Sequence, residues 1–238
     1  MEIVIMNLTH LISVHYVVFN VWGYSMSLVE FLGTLLGILS FGLATRLNIL
    51  AWPVGIMSQL VFLLFFYQWQ HLSYMLHQLV LTVLFLYGWM YWKMRPPSQA
   101  MIIRTLKEGE RRAWIIGLGL SVLVGGTLTA NLPGLFSGVQ ANSYIEVFTA
   151  VGSIAACFLM ARKTVEAWVL WILVNMINAL FYACKGMYFI TAEYSIFLVI
   201  GKYGLKEWIK EFNQYKLTFH RPKEWWIIDD YARNSFMK

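Results

Sequence analysis

The sequence predicts an all-α membrane protein with seven transmembrane helices, grouped as three, one and three. The first observation is composition, because 59% of the residues are hydrophobic and 13% are charged, whereas soluble domains carry about 25% charged residues. The second is an internal repeat, since residues 28–92 align with residues 144–208 without a gap. A lipid-facing surface explains the shortage of charge, and the repeat explains the grouping of the helices.

Seven stretches are long and apolar enough, or nearly so, to cross a hydrocarbon core of about 30 Å as helices. They lie near residues 28–45, 49–67, 72–92, 114–131, 144–161, 166–184 and 188–206. Together they take up most of the chain. A separate catalytic domain is therefore not expected.

The repeat rests on identical residues of rare types in one register. Among the matched pairs are Glu30 and Glu146, Arg46 and Arg162, Trp52 and Trp168, and Trp92 and Trp208. We interpret the match as a duplicated unit of about 65 residues. Because three helices end on the opposite side from their start, two copies run the same way only if one more helix crosses between them. The stretch 114–131 supplies it and predicts parallel repeats about a pseudo-two-fold axis, an architecture in which transporters bind substrate between the repeats.

The division of the chain follows from these spans. We expect an N-terminal interfacial segment at 1–27, a first repeat at 28–92, a basic loop and linker helix at 93–143, a second repeat at 144–208 and a cytoplasmic tail at 209–238. The N-terminal segment is apolar but interrupted by polar residues. It predicts a helix lying in the membrane interface, with an additional span as the alternative. It lacks the basic start and the cleavage site of a signal peptide.

The basic residues are distributed unevenly. The formal net charge is +6, and with the predicted spans every Lys and Arg except Lys185 lies on one side. Because basic loops stay in the cytoplasm, this pattern places the N-terminus outside and the C-terminus inside. The positive charge is thereby explained by topology. The expected surroundings are membrane lipid, and no nucleic-acid partner is expected.

The span 166–184 carries the most informative pattern of polar and aromatic residues. One face of this helix, within an arc of about 80°, presents Trp168, Trp171, Asn175, Asn178 and Tyr182. Lipid disfavours carboxamides, so this face is expected to look inward. The alternative role for Trp168 is that of an aromatic-belt residue at the membrane interface. The alternative role for Asn175 and Asn178 is hydrogen bonding between helices.

Further substrate-binding candidates come from the repeat. The matching face of the first repeat carries Trp52, Gln59, Phe62 and Phe66, and near the outer ends of the spans His77 and Gln78 align with Glu193 and Tyr194. We expect the amides of Gln59 and Asn175 to approach each other across the axis. Amides and aromatic rings suit a small planar ligand that is uncharged or carries one positive charge. Snorkelling towards the interface is the alternative role for Glu193 and His77.

The sequence argues against an enzyme. It contains no H-E-x-x-H or G-x-S-x-G motif, and its only aspartates are Asp229 and Asp230 in the tail. No metal site or cofactor is predicted, because Cys157 and Cys184 have no neighbours at ligand spacing and are interpreted as packing residues. Without aspartates in the spans, movement down a substrate gradient is favoured over coupling to protons. A sodium site built from backbone oxygens stays open as an alternative.

The pattern Trp168-x-x-Trp171-x-x-x-Asn175, together with the three-one-three layout, resembles the bacterial Pnu-type vitamin transporters. The resemblance covers about residues 25–210. It implies a SWEET-like fold, a homotrimer in the inner membrane, and uptake of nicotinamide riboside that is trapped inside by phosphorylation. It also implies that Trp168, Trp171 and Asn175 belong to the substrate site or pathway.

Two alternatives stay open. The same fold could carry thiamine, riboflavin or a deoxynucleoside, and no single residue separates these substrates. A seven-helix receptor is the alternative class, because Lys202 in the last span is superficially similar to a retinal-binding lysine. The internal repeat and the absence of an aspartate counter-ion in the spans argue against a receptor.

Overall fold

The computed structural model describes residues 13–21, 23–94, 103–131 and 143–219. Within these ranges a two-stranded antiparallel sheet precedes seven α-helices. The strands are β1 (Val17–Val21) and β2 (Tyr24–Ser27). The helices are α1 (Leu28–Thr45), α2 (Ala51–Gln68), α3 (Leu72–Lys93), α4 (Glu108–Asn131), α5 (Ser143–Ala161), α6 (Glu166–Cys184) and α7 (Tyr188–Phe219).

The prediction of a helical, multi-pass membrane protein is confirmed. Within the described ranges, six helices, α1 to α6, are long and apolar enough to cross a membrane. Helix α7 is not among them, because Glu193, Lys202 and Lys206 interrupt its apolar run. The seventh crossing therefore stays a prediction.

Helix α7 is longer than the sequence predicts. It continues to Phe219, past the predicted end of the span at residue 206 and past the predicted start of the tail at residue 209. The reason is that its apolar face continues beyond the span. Trp208 is fully buried, and Leu205 and Phe212 pack against the same core. These spacings of three and four residues keep one face of the helix turned inward. Residues 220–238, including the rest of the predicted tail, lie outside the described residues.

The expectation of an N-terminal interfacial helix is wrong for residues 17–21 and 24–27, which form the antiparallel strands β1 and β2. Residues 1–12 lie outside the described residues. β-Branched and aromatic side chains in β1 favour a strand, and Gly23 provides the positive φ of 77° that a tight hairpin turn needs. The hairpin then leads directly into α1, where the Ser27 hydroxyl accepts a hydrogen bond from the backbone N–H of Glu30.

The helices pack in a closed ring. Helix α1 packs on α2, α2 on α3, α3 on α5, α5 on α6, α6 on α7, and α7 on α1. Helix α4 lies outside this ring and packs on α5. Each of the two segments that share the repeat therefore contributes three consecutive helices to the ring, and two contacts, α3 with α5 and α7 with α1, join them.

Backbone angles at matched positions of the two segments agree, as the sequences do. Leu47 and Lys163 occupy matched positions in the two aligned segments, and both have a φ of 54°. Gln70 and Gly186 are also matched, with φ values of 55° and 73°. A residue in the left-handed region ends a helix by turning the chain. Helices α1 and α5 thus end alike, and so do α2 and α6.

Four tryptophans close one end of the ring. We call this the basic end, because Arg46, Lys93, Arg162 and Lys163 lie there next to the ends of α1, α3 and α5. In this tryptophan cluster, all four indoles are buried. Their ring centroids are separated by 5.3 Å for Trp52 and Trp92, 5.6 Å for Trp168 and Trp208, and 6.5 Å for Trp92 and Trp208.

Two hydrogen bonds from this cluster join the repeated segments. Trp92 Nε1 donates to the carbonyl of Ala161 at 2.9 Å, and Trp208 Nε1 donates to the carbonyl of Ala44 at 3.1 Å. Trp92 and Trp208 are matched positions of the repeat, and each reaches the last turn of the first helix in the other segment. At the end of α5 the indole satisfies the carbonyl of Ala161, whereas at the end of α1 it is an additional donor, because the carbonyl of Ala44 also accepts from the backbone N–H of Leu47.

The close contact between Gly204 and Trp168 gives a first prediction. A Cβ at Gly204 would lie 2.6 Å from the Trp168 ring, and the matched Gly88 has the same relation to Trp52 at 2.3 Å. We expect Gly204→Ala to destabilise the protein by about 1–3 kcal/mol, because a fully buried indole must move. The measurement is the midpoint of thermal unfolding of detergent-purified protein. Gly117→Ala in α4 is the control, since a Cβ there meets nothing within 4 Å. Equal unfolding midpoints for the two variants would contradict this account.

Candidate functional site

The aromatic residues of α6 pack around a side chain from α1. The Phe41 ring centroid lies 5.1 Å from that of Trp168 and 5.3 Å from that of Trp171, in T-shaped arrangements with both. It also lies 5.6 Å from that of Phe197 of α7. Trp168 is fully buried and also belongs to the tryptophan cluster, whereas Trp171 is partly buried. The structure therefore brings the two predicted tryptophans together around Phe41.

Sequence reasoning missed Phe41 and Phe197. Their matched positions in the repeat are Cys157 and Leu81, which are not aromatic. Because these matched residues are not aromatic, the internal repeat gives no indication of Phe41 or Phe197. The only signal in the sequence is the presence of an aromatic residue in the apolar helices α1 and α7.

Asn175 lies inside the ring of helices. It is 4% exposed, and its Nδ2 donates to the carbonyl of Trp171 one turn earlier at 2.8 Å. Among the described residues no hydrogen bond reaches its side-chain oxygen. Asn178 and Tyr182, on the same face, are partly buried.

The candidates from the first repeat are placed differently. Gln59 is partly buried, and no hydrogen bond joins it to Asn175. The Asn175 side chain uses an N–H group within its own helix, and the expected approach of the two amides across the axis stays a prediction. Phe62 packs on α1, where its ring lies 3.0 Å from the Cβ position of Gly33. Phe66 stacks on Tyr74 at 5.0 Å.

Trp52, the remaining candidate of that set, lies in the tryptophan cluster at 2% exposure. Two of the four first-repeat candidates, Trp52 and Phe62, are thus occupied in packing between helices. Helix α6 therefore carries the aromatic and amide face, whereas on α2 two of the four matching side chains pack between helices.

The other end of the ring carries the remaining candidates. We call it the acidic end, because Glu30, Glu146 and Glu193 lie there. The rings of Tyr182 and Tyr194 are parallel, with a centroid distance of 5.6 Å and an angle of 4°. This pair places one candidate of α6 directly on one of α7.

Two hydrogen bonds join the repeated segments at the acidic end. Glu193 Oε1 in α7 accepts from the hydroxyl of Thr34 in α1 at 3.0 Å. His77 Nε2 in α3 lies 2.8 Å from the hydroxyl of Ser153 in α5. Glu193 and His77 are matched positions, so both segments use the same site of the third helix to reach the first helix of the other.

The hairpin adds a tyrosine to this end. The Tyr24 hydroxyl donates to Glu30, and the Tyr24 ring stacks on Phe189 at 5.4 Å and 3°. Burial, reinforced by the hydrogen bond with Glu30, raises the pKa of Tyr24, so its hydroxyl stays protonated and remains a donor. Glu30 in turn lies near enough to Glu193 for the two carboxyl groups to interact electrostatically. The acidic end therefore combines carboxyl groups with aromatic rings.

Several buried polar atoms have no hydrogen-bond partner within the described chain. They include the indole nitrogens of Trp52, Trp168 and Trp171 and the side-chain oxygen Oε1 of Gln78. Buried polar groups are normally paired, so each such atom requires an explanation. Trp171 is the informative case, because its unpaired indole N–H belongs to a residue one helical turn from Asn175, on the same predicted face. In the described ranges no group of three or more His, Cys, Asp or Glu residues is arranged to hold a metal ion.

Comparison with known proteins identifies the family. The sequence model of a family described as nicotinamide mononucleotide transporter matches residues 27–210. The chain belongs to the nicotinamide mononucleotide transporter family. The resemblance that the α6 motif indicates is therefore confirmed at the level of the family.

Known transporters resemble the chain over most of its length. The nicotinamide riboside transporter PnuC of Escherichia coli (strain K12) is 30% identical over 212 residues, which cover 79% of this chain and 87% of that protein. The riboflavin/roseoflavin transporter RibM of Streptomyces davaonensis is 28% identical over 183 residues, which cover 75% of this chain and 83% of that protein. These relatives are named as membrane transporters of vitamins and not as enzymes.

A solved structure supports the fold. The crystal structure of the vitamin B3 transporter PnuC matches with a TM-score of 0.60 at 20% sequence identity, covering 78% of this chain and 82% of that chain. At this identity the likeness concerns the fold. The chain is accordingly a multi-pass member of a vitamin transporter family, with six helices of the required length and apolarity among the described residues.

The contact between Thr34 and Glu193 gives a second prediction. We expect Thr34→Val to lower the free energy of unfolding by about 1–3 kcal/mol, because it keeps the shape of the side chain but removes the donor to a carboxyl group. Thermal unfolding in detergent measures the effect. Thr82→Val is the matched control, because the Thr82 hydroxyl donates only to the carbonyl of Gln78 in its own helix. If both variants unfold like the wild type, Thr34 does not join the two segments energetically.

Proposed function

We propose that this protein takes up nicotinamide riboside across the bacterial inner membrane as a facilitator. The observation that carries the proposal is the similarity to the nicotinamide riboside transporter PnuC over 87% of that protein's length, combined with the inward aromatic and amide face of α6. The substrate moves down its gradient and is trapped inside the cell by phosphorylation. The absence of aspartate from the seven helices supports movement without proton coupling.

The architecture in this proposal is SWEET-like. Residues 28–92 and 144–208 form two parallel three-helix repeats, and α4 in the segment 93–143 is the linker between them. The closed ring, the matched left-handed residues and the tryptophan cluster support this arrangement. Helix α7 is then the seventh crossing, with the N-terminus outside and the cytoplasmic side at the basic end. The protein assembles as a homotrimer, an inference that rests on the family resemblance.

The substrate site in this proposal lies on α6 and continues to the acidic end. Trp171 and Asn175 offer a donor and an acceptor for the carboxamide of the ligand, next to aromatic rings that suit its flat heterocycle. Its remaining members are Asn178, Tyr182, Gln59, Phe66, His77, Gln78, Glu193 and Tyr194. The other predicted residues, Trp168, Trp52 and Phe62, support this site by packing between helices. Nicotinamide riboside has a positively charged pyridinium ring, and such a cation is attracted by carboxylates and by tyrosine faces.

The charge of the acidic end favours this substrate over a nucleotide, over riboflavin and over a deoxynucleoside. A nucleotide carries a phosphate, which the carboxyl groups of Glu30 and Glu193 repel. Riboflavin is the second candidate, because RibM is among the relatives. It is neutral, however, and gains nothing from these carboxylates. Thiamine is cationic and remains a candidate of the same class, whereas a deoxynucleoside is neutral.

The site on α6 gives the third prediction. We expect Asn175→Ala and Trp171→Ala to abolish uptake of labelled nicotinamide riboside into proteoliposomes without an ion gradient, because each removes a group that faces the ligand. Asn131→Ala is the matched control for the first variant, since Asn131 Nδ2 makes the same bond to the carbonyl one turn earlier but on the exposed face of α4. Trp89→Ala, at a 37% exposed indole in α3, is the control for the second.

Wild-type uptake by both α6 variants would remove this face from the substrate pathway. Loss of uptake in the two control variants as well would point to impaired folding. Size-exclusion profiles of all four purified proteins separate these cases.

The acidic end gives the fourth prediction. We expect Glu193→Gln to reduce the preference for nicotinamide riboside over neutral riboflavin, because it removes a negative charge but keeps an oxygen that accepts from Thr34. The measurement is competition by each compound in the proteoliposome assay. Glu207→Gln, near the basic end of the same helix, is the control. An unchanged preference in Glu193→Gln would show that this carboxylate does not select for charge.

A further inference from the structure

We infer that Phe41 is a positioning residue of the substrate site, supplied to α6 by the other repeat. This inference rests on the proposed function and deepens it. The Phe41 ring lies against Trp168, Trp171 and Phe197 at interplanar angles of 62°, 83° and 79°. Edge-to-face packing of this kind fixes the orientation of each ring relative to the others.

The orientation of the Trp171 indole depends on these rings. Its Nε1 is buried and has no acceptor among the described residues. A hydrogen bond therefore does not hold the indole in place, and only packing determines where its N–H points. Phe41 lies 5.3 Å from this indole and is the aromatic residue that contacts it from α1. Removing the Phe41 ring leaves the indole free to turn, so the donor is no longer directed at the ligand.

The arrangement occurs in only one half of the molecule. The matched positions of Phe41, Trp171 and Phe197 are Cys157, Gly55 and Leu81. At Gly55 the space of a side chain is already taken, because a Cβ there would lie 2.0 Å from the Phe85 ring. The first segment thus fills with Phe85 the place where the second segment carries Trp171. The aromatic residues of the site therefore lie mainly in the second repeat, and Phe41 is the aromatic residue that the first repeat adds to them.

The experiment compares Phe41→Leu with Phe31→Leu. Both residues are partly buried phenylalanines of α1, but Phe31 packs on Phe19 of the hairpin at 5.6 Å, away from α6. We expect Phe41→Leu to raise the Kd for nicotinamide riboside about tenfold, as the loss of oriented aromatic contacts does. The maximal rate of uptake and the unfolding midpoint stay near those of the wild type. Phe41→Tyr keeps the ring and is expected to restore the wild-type Kd.

A readout without substrate tests the same point. The indole N–H resonance of Trp171, assigned by its absence in Trp171→Phe, is expected to shift or broaden in Phe41→Leu and to stay unchanged in Phe31→Leu. If Phe41→Leu does not fold, Phe197→Leu, which removes the ring on the other side of Phe41, takes its place in both measurements. An unchanged Trp171 resonance together with an unchanged Kd overturns the proposal. So does a Kd that rises equally in Phe31→Leu.

Failure of the proposed function gives a different result. Wild-type protein is titrated with nicotinamide riboside, thiamine, riboflavin and a deoxynucleoside. If it binds one of the others instead of nicotinamide riboside, the proposed substrate is wrong, and the Phe41 comparison is made with the compound that binds. If it binds none, the proposed function fails as a whole, and the Trp171 resonance alone decides whether Phe41 positions this indole.

Discussion

The structure depends on the contact between Trp92 and Trp208, where the two repeated segments meet at the basic end. Each indole is buried, packs on a tryptophan of its own segment and donates a hydrogen bond to a helix end in the other. In lipid, the apolar surface of one helix gains little by contacting another, so close packing and hydrogen bonds between helices decide how they associate. Four large rings with two directed donors supply both, and they fix how α3 and α7 lie in the ring.

At the acidic end, polar hydrogen bonds and not packed rings join the two segments. There the same two interfaces, α7 with α1 and α3 with α5, are held by the hydrogen bonds of Glu193 with Thr34 and of His77 with Ser153. A transporter must open its two ends at different times, and polar side chains with a few bonds separate more easily than a packed cluster of rings. On the proposed function, the substrate therefore enters through the acidic end, where carboxyl groups attract a cation, while the tryptophan cluster keeps the basic end closed.

The sequence predicts the helices well because their apolar runs are long and their repeat is in register. It also predicts that the α6 face turns inward, since Asn175 and Trp168 are buried. It does not predict the hairpin, because a short apolar run such as Val17–Val21 has no period that separates strand from helix. Nor does it predict Phe41, whose contacts to Trp171 and Phe197 come from helices far apart in the chain. Repeat symmetry also does not predict that the Asn175 side chain donates to the carbonyl of Trp171 in its own helix, because the symmetry relates positions and does not specify the hydrogen-bond partner of each side chain.

The differences between the two segments are informative for function. The matched residues Trp52 and Trp168 both serve packing, and their equivalence reflects a shared role in the tryptophan cluster. By contrast, Trp171 is matched by Gly55 and Glu193 by His77, and these pairs differ in size or in charge. A ligand such as nicotinamide riboside has no two-fold symmetry, with a cationic ring at one end and a ribose at the other. A site that recognises it must break the symmetry of a duplicated fold, so residues with unlike counterparts, Phe41 among them, are the ones expected to contact or position the substrate.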